Sequence, residues 1–143
     1  MTQICDIRYY SPVKKTTRTI LVVDDDPAFQ ELLKQYFILR EWDVVLAGDA
    51  EQGIDEFRRH HPQAVILDVN LGAGRDGLSL CEQIRDDISS SETAVILLSA
   101  ERRTVMDQTE GQTVGADAYL LKPIKLTELE ERLDEALRAK KAR

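Results

Sequence analysis

The stretch "TILVVDDDPAF", residues 19–29, decides how the rest of the chain is read. Four apolar residues, Ile20 to Val23, run straight into Asp24, Asp25 and Asp26, and then into Pro27. A continuous apolar run predicts a strand covered on both faces, as in a parallel sheet. Asp26 and Pro27 predict a helix start, as N-cap and first helical residue, and Phe29, Leu32, Leu33, Tyr36 and Phe37 then supply one apolar stripe. The turn between strand and helix therefore carries the acids. Two such charges about 4 Å apart repel by roughly 4 kcal/mol at an effective dielectric near 20, so the turn calls for a compensating cation.

Four more continuous apolar runs follow: "DVVLA" (43–47), "AVILDV" (64–69), "AVILLSA" (94–100) and "AYLLK" (118–122). Helical patterns separate them. One begins at Asp49, with Gln52 three residues on and Ala50, Ile54 and Phe57 facing inward. Another follows Gly77 and carries Leu78, Cys81 and Ile84, and the last opens with Thr127 and Glu130 as a capping box, with Leu129, Leu133 and Leu137 as its stripe. Between the fourth and fifth runs, residues 102–117 offer only Val105, Met106 and Val114 as apolar candidates, with Gly111 in the interior. A helix there is expected to be short, frayed or partly irregular. Alternating strands and helices predict a doubly wound α/β domain with right-handed crossovers. Residues 1–18 match no element and are expected to form a flexible N-terminal extension before a domain spanning 19–143.

The 143-residue chain is the size of one ordinary domain, and its net charge of −7 argues against a general nucleic-acid binder, which needs clustered Lys and Arg. Cys5 and Cys81 form neither a disulfide framework nor a metal spacing, and buried thiols are the expectation. No apolar run approaches a membrane span and the N-terminus lacks a signal-peptide core, so a cytoplasmic protein without membrane insertion is expected.

In an open α/β sheet the functional site lies beyond the carboxyl ends of the strands. Those ends carry Asp24 and Asp25 from the first run, Asp68 from the third, Ser99 from the fourth and Lys122 from the fifth. Singly, each is an ordinary cap or solvated end. Jointly they suggest phosphoryl transfer. Carboxylates with room for water suit a hard cation such as Mg²⁺, Asp68 is placed as a nucleophile beside it, and Lys122 and Ser99 can balance phosphoryl oxygens.

The motifs "ILVVDDDP", "VILDVNL", "DGLSL", "ILLSA" and "GADAYLLKP" together resemble the receiver domain of two-component response regulators, from about Thr19 to Leu137. The resemblance implies a flavodoxin-like, three-layer α/β/α fold with a five-stranded parallel sheet in the order 2-1-3-4-5. It implies an acidic pair in Asp24 and Asp25, a phosphoacceptor in Asp68, and the backbone carbonyl of Asn70 as a further Mg²⁺ ligand. Ser99 and Tyr119 would be switch residues, Lys122 would contact the phosphoryl group, and the Lys122-Pro123 bond would be cis. The implied partners are a sensor histidine kinase or phosphotransfer protein and a downstream effector. The implied activity is confined to the domain's own phosphorylation and dephosphorylation. Three departures stand out: "NLGAGRDG" has Gly72 where the family has proline and is one residue longer, the segment from Ser99 to Lys122 is about one residue longer, and Ile124 replaces a phenylalanine. Two alternatives remain beside this reading. One is a haloacid-dehalogenase-like phosphatase using Asp24 and Asp26, against which Pro27 and the missing late acidic pair speak. The other is a pseudo-receiver that binds without being phosphorylated.

Overall fold

The computed structural model describes residues 18–71, 77–99 and 114–142. Five strands, β1 (Arg18–Val23), β2 (Trp42–Ala47), β3 (Ala64–Asp68), β4 (Ala94–Ser99) and β5 (Ala118–Leu121), form one parallel sheet in the order β2-β1-β3-β4-β5. The helices among the described residues are α1 (Pro27–Ile38), α2 (Ala50–His60), α3 (Gly77–Asp86) and α4 (Leu126–Lys141), with a 3-10 turn at Ile88–Glu92. The expected doubly wound sheet, with the strand order 2-1-3-4-5, is the one found.

The continuous apolar runs have a direct physical cause. Ile20 and Val22 of β1, with Ile66, Ile96 and Leu98, face Leu33 and Phe37 of α1 and Leu129 and Leu133 of α4. Leu21 and Val23, with Val65, Leu67, Val95 and Leu97, face Ile54 and Phe57 of α2 and Leu80, Cys81 and Ile84 of α3. Each central strand is thus apolar on both faces, and β3 and β4 are buried at every residue.

Helix starts follow the local chemistry. Asp26 accepts from the N–H of Ala28 (3.0 Å) and Pro27 opens α1, while Asp49 accepts from the N–H of Gln52 (2.8 Å). α4 departs from expectation. Its N-cap is Lys125, with no side-chain capping bond, and the capping box expected of Thr127 and Glu130 does not form. Glu130 is claimed by α1 instead: it accepts from Tyr36 Oη at 2.7 Å and from Arg40 Nε at 2.9 Å, and Arg40 stacks over the Tyr36 ring. Burial pushes the Glu130 carboxyl up, but the bonds from Tyr36 and Arg40 outweigh it and hold the group below the usual carboxylate range. A depressed carboxyl contributes stability that is present above its ordinary pKa and lost as pH falls through the folded value. Glu130→Gln is therefore expected to lower stability by roughly 0.5–1 kcal/mol at pH 7, with the deficit closing below about pH 4, as read from urea melts across pH.

β1 begins at Arg18, one residue before the expected start, and Arg18 pairs in register with Trp42 and lies 4.1 Å over its ring. At the amino edge of the sheet Asp117 gathers several elements. Its carboxylate accepts from the N–H of Val95 (2.8 Å) and from Arg85 of α3 (2.9 Å), and meets Lys140 of α4 at 3.0 Å. Cys81 is buried, as expected; burial pushes its thiol up to about 12, which keeps it an inert core group. The irregular helix expected over 102–117 falls mostly outside the described residues, as does Cys5.

Candidate phosphoacceptor site

The order β2-β1-β3 puts the reversal of the winding between β1 and β3, and the acids expected at their ends meet there. Asp24 is 2% exposed and Asp68 5%, whereas Asp25 is open to solvent. One carboxylate oxygen from each of the three lies within 4.8 Å of the others. The set is all oxygen and all anionic, which fits a hard divalent cation, with Asp25 on the open side where water can complete the shell. These three residues could hold a metal ion.

The compensating cation that the opening stretch calls for is Lys122. Its Nζ lies 2.9 Å from Asp24 Oδ2 and 3.6 Å from Asp68 Oδ2. Lys122 directly follows β5 and precedes a cis bond to Pro123, and its N–H donates to the Ser99 carbonyl at 2.7 Å. That bond also brings Ser99, fully buried at the end of β4, to the same edge. Tyr119 lies on β5, packed against the core formed with α2 and α3.

Backbone donors complete the pocket. Asp24 Oδ1 accepts from the N–H of Asp26 and Asp68 Oδ1 from the N–H of Asn70, both at 2.9 Å. Asn70 is exposed, two residues beyond Asp68, so its backbone stands at the rim of the acid cluster. Burial pushes the Asp68 carboxyl above the usual range; the Asn70 N–H and Lys122 pull it down, and Asp24 and Asp25 push it up.

Three contributors escaped the sequence reading. Gln30 of α1 donates to the carbonyls of Asp24 (2.6 Å) and Ala47 (3.0 Å), clamping the ends of β1 and β2. Gly77 opens α3 against β3: its N–H donates to the Val69 carbonyl at 2.8 Å, and a Cβ there would lie 2.2 Å from the Asp68 carbonyl oxygen. Phe29 lies under the Lys122 ammonium, with Nζ 4.4 Å from its ring centroid. Leu32, expected on the buried stripe of α1, is instead 51% exposed. With Phe29, Lys122, Pro123 and Ile124 it lines an open cleft of about 420 Å³ beside the acids. Leu33 and Phe37 take the core positions of the helix, and Leu32 is left on its exposed side.

Geometry of this kind defines a class. Residues 20–134 match the response regulator receiver domain, and the chain belongs to that family. It is 39% identical over 119 residues to the transcriptional regulatory protein TrcR of Mycobacterium tuberculosis, an alignment covering 83% of this chain and 45% of that one. Its fold superposes with a TM-score of 0.75 on the BeF3-activated receiver domain of Klebsiella pneumoniae RstA, at 29% identity over 85% of this chain and 99% of that one. A CheY-like receiver domain protein from Methanospirillum hungatei gives a TM-score of 0.81 at 24% identity, covering 89% and 98%, a likeness of fold. The protein is therefore a receiver domain of a two-component system, and nothing found favours the phosphatase alternative. The chain spans about half the length of the curated relatives it matches. Among the described residues no helix is long and apolar enough to cross a membrane.

Proposed function

We propose that this receiver accepts a phosphoryl group on Asp68 from the phosphohistidine of a sensor histidine kinase or phosphotransfer protein. The observation that carries this reading is the meeting of Asp68 with Asp24, Asp25 and Lys122 at the carboxyl edge of the sheet. Asp68 is the member that stands at the end of the central strand β3, with a lysine on one oxygen and a backbone N–H on the other. An Asp68 oxygen forms the new bond to phosphorus; the phosphorus–nitrogen bond to imidazole breaks, and the imidazole nitrogen keeps the electron pair and takes up a proton. Lys122 offsets charge on the phosphoryl oxygens, and the Ser99 hydroxyl donates to one of them. Asp24, Asp25, Asp68 and the Asn70 carbonyl would hold Mg²⁺, which supplies positive charge opposite the phosphoryl group when bound. Hydrolysis of the acyl phosphate returns the domain to its starting state, and no external substrate is turned over. Ser99 and Tyr119, on the neighbouring strands β4 and β5, pass the change to the face that an effector reads. The working compartment is the cytoplasm, and the residues before β1 precede the signalling domain.

Incubation with acetyl phosphate and Mg²⁺ should add one phosphoryl group, mapped to Asp68 by borohydride trapping and mass spectrometry. An unlabelled protein would favour the pseudo-receiver, and steady phosphate release from a generic phosphomonoester would favour a phosphatase. Asp25→Ala should leave the fold intact and weaken Mg²⁺ binding by about tenfold or more, since it removes the solvent-facing ligand of the three. Calorimetric titration giving equal Mg²⁺ affinity for mutant and wild type would contradict the ligand assignment.

A further inference from the structure

A lysine at this site has four rotatable side-chain bonds and two carboxylates to choose between, so something must settle where its ammonium points. The Asp24 bond at 2.9 Å and the looser Asp68 contact at 3.6 Å fix it on one side only. On the other side stands the ring of Phe29, 4.4 Å from Nζ. That distance is well inside the range in which a ring face attracts a cation, and the Lys122 side chain is only 19% exposed, so the attraction is little screened. The helix start at Asp26 and Pro27 puts Phe29 in the first turn of α1, directly above the acidic turn. Gln30, the next residue, donates to the carbonyls of Asp24, just past β1, and of Ala47 at the end of β2, which ties down that turn.

We propose that Phe29 is a positioning residue: its ring face holds the Lys122 ammonium between Asp24 and Asp68, ready for the phosphoryl oxygens. This rests on the reading of Asp68 as phosphoacceptor. The ring touches neither the acceptor nor the entering group, and it acts through the lysine alone. Any apolar residue would fill the cleft wall; only an aromatic one offers the cation a negative face.

The test compares Phe29→Leu, which keeps apolar bulk and loses the ring, with Phe29→Tyr, which keeps the ring, each alone and combined with Lys122→Ala. The apparent second-order rate of labelling by acetyl phosphate at saturating Mg²⁺ should fall roughly three- to tenfold in Phe29→Leu and recover in Phe29→Tyr. In the Lys122→Ala background Phe29→Leu should cost nothing further. In the metal-free, unphosphorylated protein, the Lys122 ε-methylene resonances should carry an upfield ring-current displacement that Phe29→Leu abolishes and Phe29→Tyr retains. Wild-type labelling rates in Phe29→Leu, or an equal loss with and without Lys122, would overturn the proposal. Absence of Asp68 labelling in the wild-type protein would instead overturn the phosphoacceptor reading, and the resonance measurement would still decide whether the ring holds the lysine.

Discussion

Asp68→Asn is expected to abolish phosphoryl labelling, by acetyl phosphate or by a kinase, to below one part in a thousand of wild type. Asparagine can still accept the N–H of Asn70 through its amide oxygen, so the turn after β3 should survive. What disappears is the anionic nucleophile. Asp24 is not a substitute, because its two oxygens are already bonded to the Asp26 N–H and to Lys122 and it is 2% exposed. Asp25 is exposed and, among the described residues, no lysine pairs with it. Stability should hold or rise, because three acids crowd within 4.8 Å of one another while Lys122 meets only Asp24 and Asp68 of the three, and the substitution removes one of the repelling charges. Residual labelling that maps to Asp24 or Asp25 would defeat the assignment.

Gly77→Ala should be the most damaging conservative change in the described residues. An added methyl would stand 2.2 Å from the Asp68 carbonyl oxygen and 2.9 Å from both the Asp68 carbonyl carbon and Val69 Cα, all of them backbone atoms. No side chain can rotate out of the way. Either α3 lifts from β3, at the cost of the Gly77-to-Val69 hydrogen bond, or the end of β3 shifts and takes Asp68 with it. A loss of roughly 2–3 kcal/mol is expected, about 10 °C in melting temperature for a domain of this size, together with slower labelling. A thermal melt within a degree of wild type would show that the close approach relaxes freely.

These two residues mark what could and could not be seen in the chain beforehand. The strands were legible because burial on both faces leaves an unbroken apolar run, and parallel strands deliver their last residues to one edge; Asp24, Asp68, Ser99 and Lys122 follow from that alone. Asp68 was therefore visible. Gly77 was visible only as a helix boundary, because its value lies in a gap between two backbones distant in sequence, and no local pattern records a gap. Glu130 was misassigned to its own helix start for a related reason: Thr127 and Glu130 have capping-box spacing, but Tyr36 and Arg40 approach from another helix and take the carboxylate. Leu32 and Phe29 share the stripe spacing of Leu33 and Phe37, yet Leu32 is 51% exposed and Phe29 only partly buried against that core, both lining the cleft. Lys122 was legible as a cation at that edge, whereas its closer approach to Asp24 than to Asp68 depends on side-chain packing that no spacing records.

Asp117 fastens Val95 of β4, Arg85 of α3 and Lys140 of α4 at one edge of the sheet, while the acids occupy the opposite edge, about 15–20 Å away along strands of this length. A body pinned at one end and loaded at the other moves as a lever does, with its fulcrum at the pin. Rearrangement of β4 and β5 should therefore grow with distance from Asp117, greatest at Ser99 and Lys122 and least at Ala94 and Ala118. Asp117→Asn is expected to change how far β4 and β5 shift without touching a single group at the acidic edge.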